Sequence, residues 1–479
     1  MFRSEPTTTS PTTFQQSLVP AASPPDRSKR ERFDVIVIGA GAAGLLSAAR
    51  AAELGKCVLL LEKNRKAGVK ILMSGGTRCN ITQAVDSRGI IDEFGDQGRF
   101  LHSALAALPP EALIELIEAE GVATKIEETG KIFPASNKAA DVLGAFLKRL
   151  RRSGAELALE EAVVEIAAIE TDDETDEGAA RISVHTDRRS VEAAAVIVTT
   201  GGQSYPGCGT TGDGYHWLKK LGHTIVPPRP ALTPIKTRAD WAKALRGVTI
   251  PDVAVSVVEE NTEANGPSKD GSGKNAKPAR SVSRKRKGGK RGPLEQRRGG
   301  MLFAHFGLSG PAILDVSRAV ALHPRPRSLT LLCDFLPEVP KDEFIERLQQ
   351  LATAEGKRQI AGLLTDELPR RLVESLLEQA GVDGERRAAE LSKADRAAVT
   401  TAFKEMRIPI TGTLGFEKAE VTTGGVSLKE VNSKTMESKL VPGLFLAGEI
   451  LDLDGPIGGF NFQAAFSTGY LAGESAAWG

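Results

Sequence analysis

The chain has few cysteines and no long hydrophobic run. Its four cysteines, at positions 57, 79, 208 and 333, show neither a CxxC pair nor the paired spacing of a metal site. We therefore expect reduced thiols, no metal centre and a cytoplasmic location. A membrane-spanning helix needs about eighteen apolar residues in a row, and the sequence contains no such stretch. It therefore predicts no transmembrane helix.

The chain also has no excess of positively or negatively charged residues. Lys and Arg number 62 against 61 Asp and Glu, so the net charge of +1 gives no global reason to expect an acidic partner. Length and composition favour a globular enzyme of two or three domains, because 479 residues with 41% apolar content exceed what one hydrophobic core usually holds.

Residues 1–32 lack the apolar segment of a secretory signal peptide. They are rich in Ser, Thr and Pro, and we expect a disordered tail. An overlong start and a transit peptide are the alternatives, although Glu5, Asp26 and Glu31 are unusual in a transit peptide.

A nucleotide-binding signature, GAGAAG, begins at Gly39. It follows an apolar run over 33–38 that predicts a buried strand, and it precedes a helical apolar pattern over 43–54. In this context Gly39 permits the tight turn, Gly41 lets the backbone approach a pyrophosphate, and Gly44 lets helix and strand pack closely. The signature therefore predicts a dinucleotide at the helix N-terminus.

A second apolar run over 57–61 ends in Glu62. A carboxylate at this point can bind both ribose hydroxyls, and it would repel the extra phosphate of an NADP ribose.

A second signature, near the C-terminus, favours FAD over NAD. The run over 441–447 predicts a strand that enters Gly448 and Glu449, and a helix of small residues follows over 460–472. Gly448 would let the chain pass close to a ribityl phosphate, and Glu449 would bind a ribityl hydroxyl. Amides over 459–462 suit the anionic N1 and O2 side of a reduced flavin. An NAD-only enzyme has no need of this half-site.

Two internal segments are candidate cofactor-lining turns. Residues 70–80 are rich in small and donor side chains, and residues 196–202 predict a strand that ends in paired glycines. Val163, in a predicted strand over 162–168, could offer backbone contacts to adenine.

Four strings resemble the BaiN/YhiN-like flavoproteins, a family with members described as aminoacetone oxidases and bile-acid reductases. They are KILMSGGTRCNIT from residue 70, GGQSYPGCGTTGDGY from 201, FAHFGLSGPAIL from 303, and the stretch over 421–469 that contains LFLAGEILDLDGPIGGFNFQAAFSTG. The resemblance covers residue 33 to the C-terminus. It implies an FAD-bound two-electron redox protein of α/β class, whose split Rossmann-like domain, of the two-dinucleotide-binding type, is interrupted by a β-rich domain and a small helical subdomain.

The resemblance also assigns residues to the cofactor, and it departs from the family at two positions. Thr77 stands where a third glycine is usual, and Gln83 where asparagine is usual. A Cβ at Thr77 disfavours a positive φ there, although a serine-like turn residue can often adopt one. Together with the two signatures, the resemblance predicts these FAD-binding residues: Gly39, Gly41, Ala42, Ala43, Gly44, Glu62, Lys63, Lys70, Ser74, Gly75, Gly76, Arg78, Cys79, Asn80, Val163, Thr200, Gly201, Gly202, Gly448, Glu449, Gly459, Phe460, Asn461 and Phe462.

Changes in periodicity predict the domain order. After the tail, we expect the first part of the FAD domain over 33–222, a β-rich insert over 223–336 with a disordered basic loop over 261–300, a helical subdomain over 337–407, and the second part of the FAD domain over 408–479. Within the insert, strands are predicted over 223–226, 253–258, 301–306 and 328–335. Helices are predicted over 342–352, 367–380 and 389–406.

The low-complexity loop is strongly basic over 274–298, where Glu295 is the only acidic residue. Such a segment attracts phosphate backbones, but it has no aromatic side chains on which bases could stack. We expect a solvated insertion between two strands, with nucleic-acid contact nonspecific at most.

The catalytic acid or base is harder to predict. Tyr205 and His305 lie in the family strings and could move a proton over a flavin face, or they could be buried structural residues. Asp213, between two glycines, is more typical of a turn. Cys79 and Cys208 could exchange electrons with the flavin or simply pack near it.

The expected function is hydride transfer between flavin N5 and a small-molecule substrate, with O2 or NAD(P)H as the redox partner. Because the chain has no second GxGxxG, NAD(P)H would bind only transiently. The alternatives are an FAD protein that docks to or modifies nucleic acid through residues 274–298 and a protein whose FAD is purely structural. The sequence leaves the substrate and the oligomeric state open.

Overall fold

The computed structural model describes residues 31–169, 181–260 and 292–478. Within these ranges the strands are β1 (Glu31–Ile38), β2 (Val58–Glu62), β3 (Thr82–Gln83), β4 (Thr124–Ile126), β5 (Lys131–Pro134), β6 (Glu156–Leu159), β7 (Val163–Ile169), β8 (Arg181–Thr186), β9 (Ser190–Val198), β10 (Ile225–Ala231), β11 (Ile235–Thr237), β12 (Thr249–Glu259), β13 (Glu295–Ala304), β14 (Gly307–Ser309), β15 (Leu329–Asp334), β16 (Met406–Thr413), β17 (Val421–Val426) and β18 (Leu444–Leu446). The helices are α1 (Ala42–Glu53), α2 (Val69–Thr77), α3 (Ser87–Glu93), α4 (His102–Ala107), α5 (Pro110–Ala119), α6 (Ala139–Ser153), α7 (Asp213–Lys220), α8 (Asp240–Ala244), α9 (Pro311–Leu322), α10 (Lys341–Ala354), α11 (Ile360–Leu364), α12 (Arg370–Gln379), α13 (Lys393–Lys404) and α14 (Phe460–Trp478).

A mixed sheet forms the centre of the molecule. Its order is β6-β2-β1-β9-β8-β7, and β18 also pairs with β9. Strands β6, β2, β1, β9 and β18 are parallel, whereas β8 and β7 extend the sheet in antiparallel fashion. The apolar runs of β1, β2 and β9 are largely buried, as expected for parallel strands covered on both faces. The carboxyl ends of the parallel strands meet at one edge, which is where sheets of this kind bind ligands.

Helices α1 and α14 bring the two ends of the chain together. The Ser47 hydroxyl of α1 donates a hydrogen bond to the Gly469 carbonyl of α14 at 2.8 Å. A Cβ at Gly469 or Gly473 would lie only 2.4 or 2.3 Å from a backbone oxygen of α1, so these glycines allow the two helices to pack backbone to backbone.

The predicted β-rich insert is a closed barrel, in the order β11-β14-β13-β12-β15-β16. The predicted strands over 253–258, 301–306 and 328–335 correspond to β12, β13 and β15, and the three predicted helices correspond to α10, α12 and α13. Phe303 of the barrel and Phe344 of α10 belong to one hydrophobic core, so the helical subdomain and the barrel share their interior.

The structure differs from the predicted boundaries at four places. Strand β1 begins at Glu31, inside the predicted tail, and β13 begins at Glu295, inside the predicted disordered loop, because both are held by backbone pairing that polar side chains do not prevent. Strand β16 belongs to the barrel, where Ile408 and Ile410 are buried, although the second part of the FAD domain was predicted from 408. Strand β10 pairs with β17 rather than with the barrel. Residues 1–30 and 261–291, which include most of the predicted tail and basic loop, lie outside the described residues.

No single helix in the described ranges is long and apolar enough to cross a membrane, although the bent pair Gly95–Ala107 and Pro110–Ala119 reaches the required length and composition. The same ranges contain no cluster of three or more His, Cys, Asp or Glu side chains that could hold a metal ion. The four cysteines are free thiols, and Cys57 alone among them is exposed.

Candidate functional site

A cavity of about 720 Å³ lies at the carboxyl edge of the sheet. Its wall combines the turns after β1 and β9, the end of β2, and the segment after β18. The predicted cofactor residues that line it are Gly39, Gly41, Ala42, Ala43, Glu62, Lys63, Lys70, Ser74, Gly75, Gly76, Arg78, Asn80, Val163, Thr200, Gly201, Gly448, Glu449, Gly459, Asn461 and Phe462. Gly44, Cys79, Gly202 and Phe460 do not line the cavity, and each lies beside a residue that does.

The glycines of the first turn have different tasks. Gly39 has a φ of +100°, and a Cβ there would lie 2.8 Å from the Thr199 carbonyl oxygen. A Cβ at Gly44 would lie 1.9 Å from the Gly39 oxygen, which agrees with its predicted packing role. A Cβ at Gly41 would have no neighbouring atom within 4 Å, so this residue faces open space in the cavity wall. Gly41 is also the N-cap residue of α1 and has no side chain that could cap the helix, so the free amides of that helix are available to an anion.

Glu62 is fixed beside this turn. Its carboxylate accepts hydrogen bonds from the backbone amides of Ala40 and Asn64, both at 2.9 Å. Each carboxylate oxygen can accept a further bond, so ribose hydroxyls could still be bound. The neighbouring Lys63 is held by Asp213, at 2.5 Å, and by the Thr211 hydroxyl, at 2.7 Å. Asp213 is therefore an ion-pair partner and the first residue of α7, rather than the turn residue expected from its two flanking glycines.

A network of charged and polar groups joins the two half-sites. Lys70 Nζ of α2 donates to Glu449 Oε2 at 2.5 Å and to the Ser204 hydroxyl at 2.6 Å. Glu449 Oε1 accepts from the Ser204 hydroxyl at 2.6 Å and from the Thr422 amide at 2.9 Å. Three segments distant in sequence thus fix Glu449 at the cavity wall.

The predicted turn over 70–80 is a helix that breaks at its end. Helix α2 becomes irregular at Ser74, and the following Gly75, Gly76 and Thr77 all have positive φ. Thr77 has a φ of +70°, so its Cβ is accommodated in the positive-φ conformation that a glycine would adopt more readily. Its side chain is exposed and so meets no crowding in this conformation.

Unpaired polar atoms support an extended polar ligand in the cavity. Thr200 Oγ1 and Asn80 Oδ1 are buried without a hydrogen-bond partner, although both residues line the wall. Such atoms normally find a partner, and bound FAD would offer phosphate, ribityl and ring groups to them. With the open space at Gly41 and the acceptors Glu62 and Glu449, the donor and acceptor set fits FAD.

Of the two predicted catalytic candidates, Tyr205 lines the cavity and His305 does not. Tyr205 has a φ of +51°, and burial together with the nearby Glu420 raises the pKa of its hydroxyl, which is therefore protonated near neutral pH. His305 lies in the exposed turn between β13 and β14, with its ring edge-on to Phe306. The structure thus places His305 away from the cavity wall. The sequence could not show this, because the family string does not indicate the direction in which the turn points.

The two cysteines in the family strings differ in position. Cys208 lines the cavity, its Sγ lies 3.0 Å from Met73 Sδ, and burial raises the pKa of its thiol. Cys79 is fully buried, and burial raises the pKa of its thiol to about 12. Both are therefore protonated near neutral pH, and neither is poised as a thiolate.

Several wall residues were not predicted from the sequence. Lys131 and Phe133 lie on β5, and Glu127 directly follows β4, in a small sheet of β3, β4 and β5 whose strands are too short to carry a periodic signal. The Arg78 guanidinium stacks 3.9 Å from the Phe133 ring centroid and pairs with Glu127. Glu420 also lines the wall. It directly precedes the fourth family string in the sequence, and this position could have indicated that it belongs to the site.

Helix α9 of the barrel holds the glycine loop that follows β18. The Asp315 carboxylate accepts a hydrogen bond from the Ile457 amide at 2.8 Å, and Arg318 pairs with the buried Asp454 at 2.9 Å. Ile457 lines the cavity. Burial raises the pKa of Asp315 from 3.8 to about 6, although the Ile457 amide, Arg297 and Lys131 lower it.

We expect Asp315→Asn to stabilise the protein above the pKa of Asp315. The folded state holds this proton more tightly than the unfolded chain, so the free energy of unfolding falls as the pH rises from about 4 to about 6 and stays lowered above it. Asparagine keeps the acceptor for Ile457 without the charge, so the variant should gain roughly 1–3 kcal/mol near pH 7.5 and almost nothing near pH 4. Urea unfolding at fixed FAD concentration measures this difference. The exposed Asp366→Asn is the matched control, and an equal gain for Asp315→Asn at both pH values would contradict the assignment.

Comparison with known proteins places the chain in a family. The HI0933-like protein Rossmann domain matches residues 33–475. A ribosomal RNA dihydrouridine synthase of Escherichia coli (strain K12) is 31% identical over 447 residues, which cover 93% of this chain and 98% of that protein. A 3-dehydro-bile acid delta(4,6)-reductase of Clostridium scindens is 30% identical over 451 residues, 92% of this chain and 98% of that protein.

Among solved structures, 3-ketosteroid delta1-dehydrogenase from Sterolibacterium denitrificans aligns with a TM-score of 0.45 at 14% identity, over 94% of this chain and 100% of that chain. The family match and the relatives of nearly equal length agree with the motifs shared with the BaiN/YhiN-like flavoproteins. The chain therefore belongs to the HI0933-like family and is an FAD-dependent oxidoreductase.

Proposed function

We propose that this protein reduces a carbon–carbon double bond conjugated to a carbonyl group, and that this bond is C5=C6 of a uracil base in RNA. The names of the relatives support the chemistry. A dihydrouridine synthase saturates C5=C6, which is conjugated to the C4 carbonyl, and a delta(4,6)-reductase acts on double bonds conjugated to the 3-oxo group of its bile acid. Both names thus describe reduction of a carbon–carbon double bond conjugated to a carbonyl group.

Saturation of such a bond needs a hydride at the carbon β to the carbonyl and a proton at the α carbon. FAD, when bound and reduced, supplies the hydride. The chain must supply the proton, and Tyr205 is the side chain we assign to this step. The observation that carries the proposal is a tyrosine hydroxyl on the cavity wall that has no hydrogen-bond partner among the described residues.

Charged side chains on the cavity wall support a nucleobase as the substrate. Lys70, Lys131 and Glu420 line the cavity, and Glu420 is near enough to Tyr205 to raise the pKa of its hydroxyl. A uracil offers two carbonyl groups and an N–H to such side chains. A base that enters a cavity has to leave its stack, so the substrate would be an unpaired or flipped uridine. This proposal departs from the prediction that nucleic-acid contact is nonspecific at most.

The test is a single turnover without oxygen. The FAD-loaded protein is reduced with dithionite and mixed either with ribosomal RNA that lacks dihydrouridine or with a 3-oxo-Δ4 steroid. We expect dihydrouridine in the digested RNA, detected by mass spectrometry, and reoxidation of the flavin absorbance near 450 nm. Reoxidation by the steroid alone would overturn the uracil assignment, and reoxidation by neither compound would overturn double-bond reduction as well.

A further inference from the structure

Glu420 occupies a rigid position on the cavity wall. Its backbone amide donates to the Leu232 carbonyl at 3.1 Å, and β17 begins with the next residue. Two residues further on, the Thr422 hydroxyl accepts hydrogen bonds from the amides of Gln203 and Ser204, at 2.8 and 3.1 Å. The segment that carries Glu420 is thereby tied to the turn that carries Tyr205.

The other acidic residues of the wall are already engaged. Glu62 accepts from two backbone amides, Glu449 from Lys70, Ser204 and Thr422, and Asp213 from Lys63. Glu127 pairs with Arg78, and Glu161 pairs with Arg189. The side chain of Glu420, by contrast, has no hydrogen bond and no ion pair within the part of the chain that the structure describes. It is partly buried, and burial raises the pKa of its carboxyl group against the opposing effect of Lys70 and Lys131.

An unpaired carboxylate in a confined site costs free energy until a donor reaches it. A ligand with an N–H group at that point removes this cost, and a ligand of the same shape without the N–H leaves it in place. Glu420 is also close enough to Tyr205 to raise the pKa of that hydroxyl, so both groups face the same part of the cavity.

We propose that Glu420 is a specificity-determining residue whose carboxylate accepts a hydrogen bond from a substrate N–H, so that the site selects a cyclic imide over an enone that lacks an N–H. This inference rests on the proposed function and narrows its substrate class. In a uracil the donor is N3–H, which is bonded to the C4 carbonyl carbon and so lies on the carbonyl side of the double bond. Tyr205 and Glu420 would then address opposite sides of that carbonyl.

Binding to the oxidised, FAD-loaded protein tests the inference without turnover. Isothermal titration compares a short uridine-containing RNA with the same RNA carrying N3-methyluridine. We expect the wild type to bind the unmethylated RNA roughly 10- to 100-fold more tightly, the range for a hydrogen bond to a charged group. Glu420→Leu should abolish this ratio, and Glu420→Gln should retain part of it because its carbonyl oxygen still accepts. Glu417→Leu, at an exposed carboxylate three residues earlier, should keep the wild-type ratio.

A second measurement separates the two proposals. Cyclohex-2-enone has no N–H, so Glu420→Leu should lose far more of its uridine reduction than of its cyclohex-2-enone reduction. If wild type reduces both compounds but Glu420→Leu discriminates against N3-methyluridine as strongly as wild type, the assignment of Glu420 fails and double-bond reduction stands. If the wild type reduces neither compound, both proposals fail. Unchanged FAD content and visible spectrum verify that each variant is folded.

Discussion

Replacement of Gly41 by alanine is expected to lower the affinity for FAD by about 100-fold or more while the apoprotein keeps its stability. Gly41 has an ordinary φ of −84°, and no atom lies within 4 Å of the position that a Cβ would take. The methyl group is therefore harmless to the fold. It would fill the space through which a dinucleotide phosphate reaches the helix N-terminus, and the loss of two charge-assisted amide bonds costs about 3 kcal/mol or more. Fluorescence titration with FAD and urea unfolding of the apoprotein measure the two quantities.

The same substitution at Gly44 is the matched comparison, and it should lower the stability of the apoprotein, which Gly41→Ala leaves unchanged. A Cβ at Gly44 would lie 1.9 Å from the Gly39 oxygen and 2.6 Å from Thr199 Oγ1, so the apoprotein should lose about 1–3 kcal/mol of unfolding free energy. Undiminished FAD binding by Gly41→Ala would show that the diphosphate does not pass over this turn. The assignment of the glycine turn from Gly39 to Gly44 to the FAD diphosphate would then be wrong.

The first turn could be predicted because its signals are local. A strand, a glycine-rich turn, a helix and an acidic residue follow one another within residues 31–62, and each has a residue type that its geometry requires. The convergence of the two chain ends was inferred from chemistry, since both signatures fit parts of one cofactor. The contact that achieves it, through Gly469 and Gly473 of α14, has no signal of its own, because glycines in a small-residue helix are unremarkable until the partner helix is known.

Other parts of the site depend on tertiary placement that no local pattern encodes. Lys131 and Phe133 reach the cavity on a strand of four residues, too short to show alternation. His305 and Tyr205 were equivalent in the sequence, since each is a proton-carrying side chain in a shared string. The topology determines which of them reaches the cavity, because His305 lies in a hairpin of the barrel whereas Tyr205 follows strand β9 of the central sheet.

The boundary predicted at residue 408 falls inside a barrel strand for a related reason. Strand β16 alternates buried Ile408 and Ile410 with less buried neighbours, which is a valid strand pattern for either the barrel or the central sheet. Only its pairing with β11 and β15 decides the matter. Helix α9, which starts at Pro311 after Gly310, was not predicted, because the apolar residues around it follow the periodicity of strands.

Tyr205→Phe is expected to slow uracil reduction by about 100- to 10 000-fold, the usual contribution of a positioned general acid. Phenylalanine keeps the ring and tolerates the same backbone conformation as tyrosine, so FAD content and the rate of flavin reduction by dithionite should be unchanged. Single-turnover formation of dihydrouridine, followed by rapid quench, measures the effect. Tyr470→Phe, at a half-buried tyrosine of α14 whose ring stacks on Arg50, is the matched control and should behave as wild type.

Cys208 is the competing proton donor, and the same assay distinguishes it from Tyr205. Its thiol also lines the cavity and is protonated, but its hydrogen already points to Met73 Sδ at 3.0 Å, whereas the Tyr205 hydroxyl has no partner among the described residues. We therefore expect Cys208→Ala to retain most of the wild-type rate. If Cys208→Ala lost the rate and Tyr205→Phe kept it, the thiol would be the acid. Because burial raises the pKa of Tyr205, ionisation of this tyrosine should not lower the wild-type rate below about pH 10, where an unperturbed tyrosine ionises. A fall near pH 8 would be incompatible with a tyrosine donor in this environment.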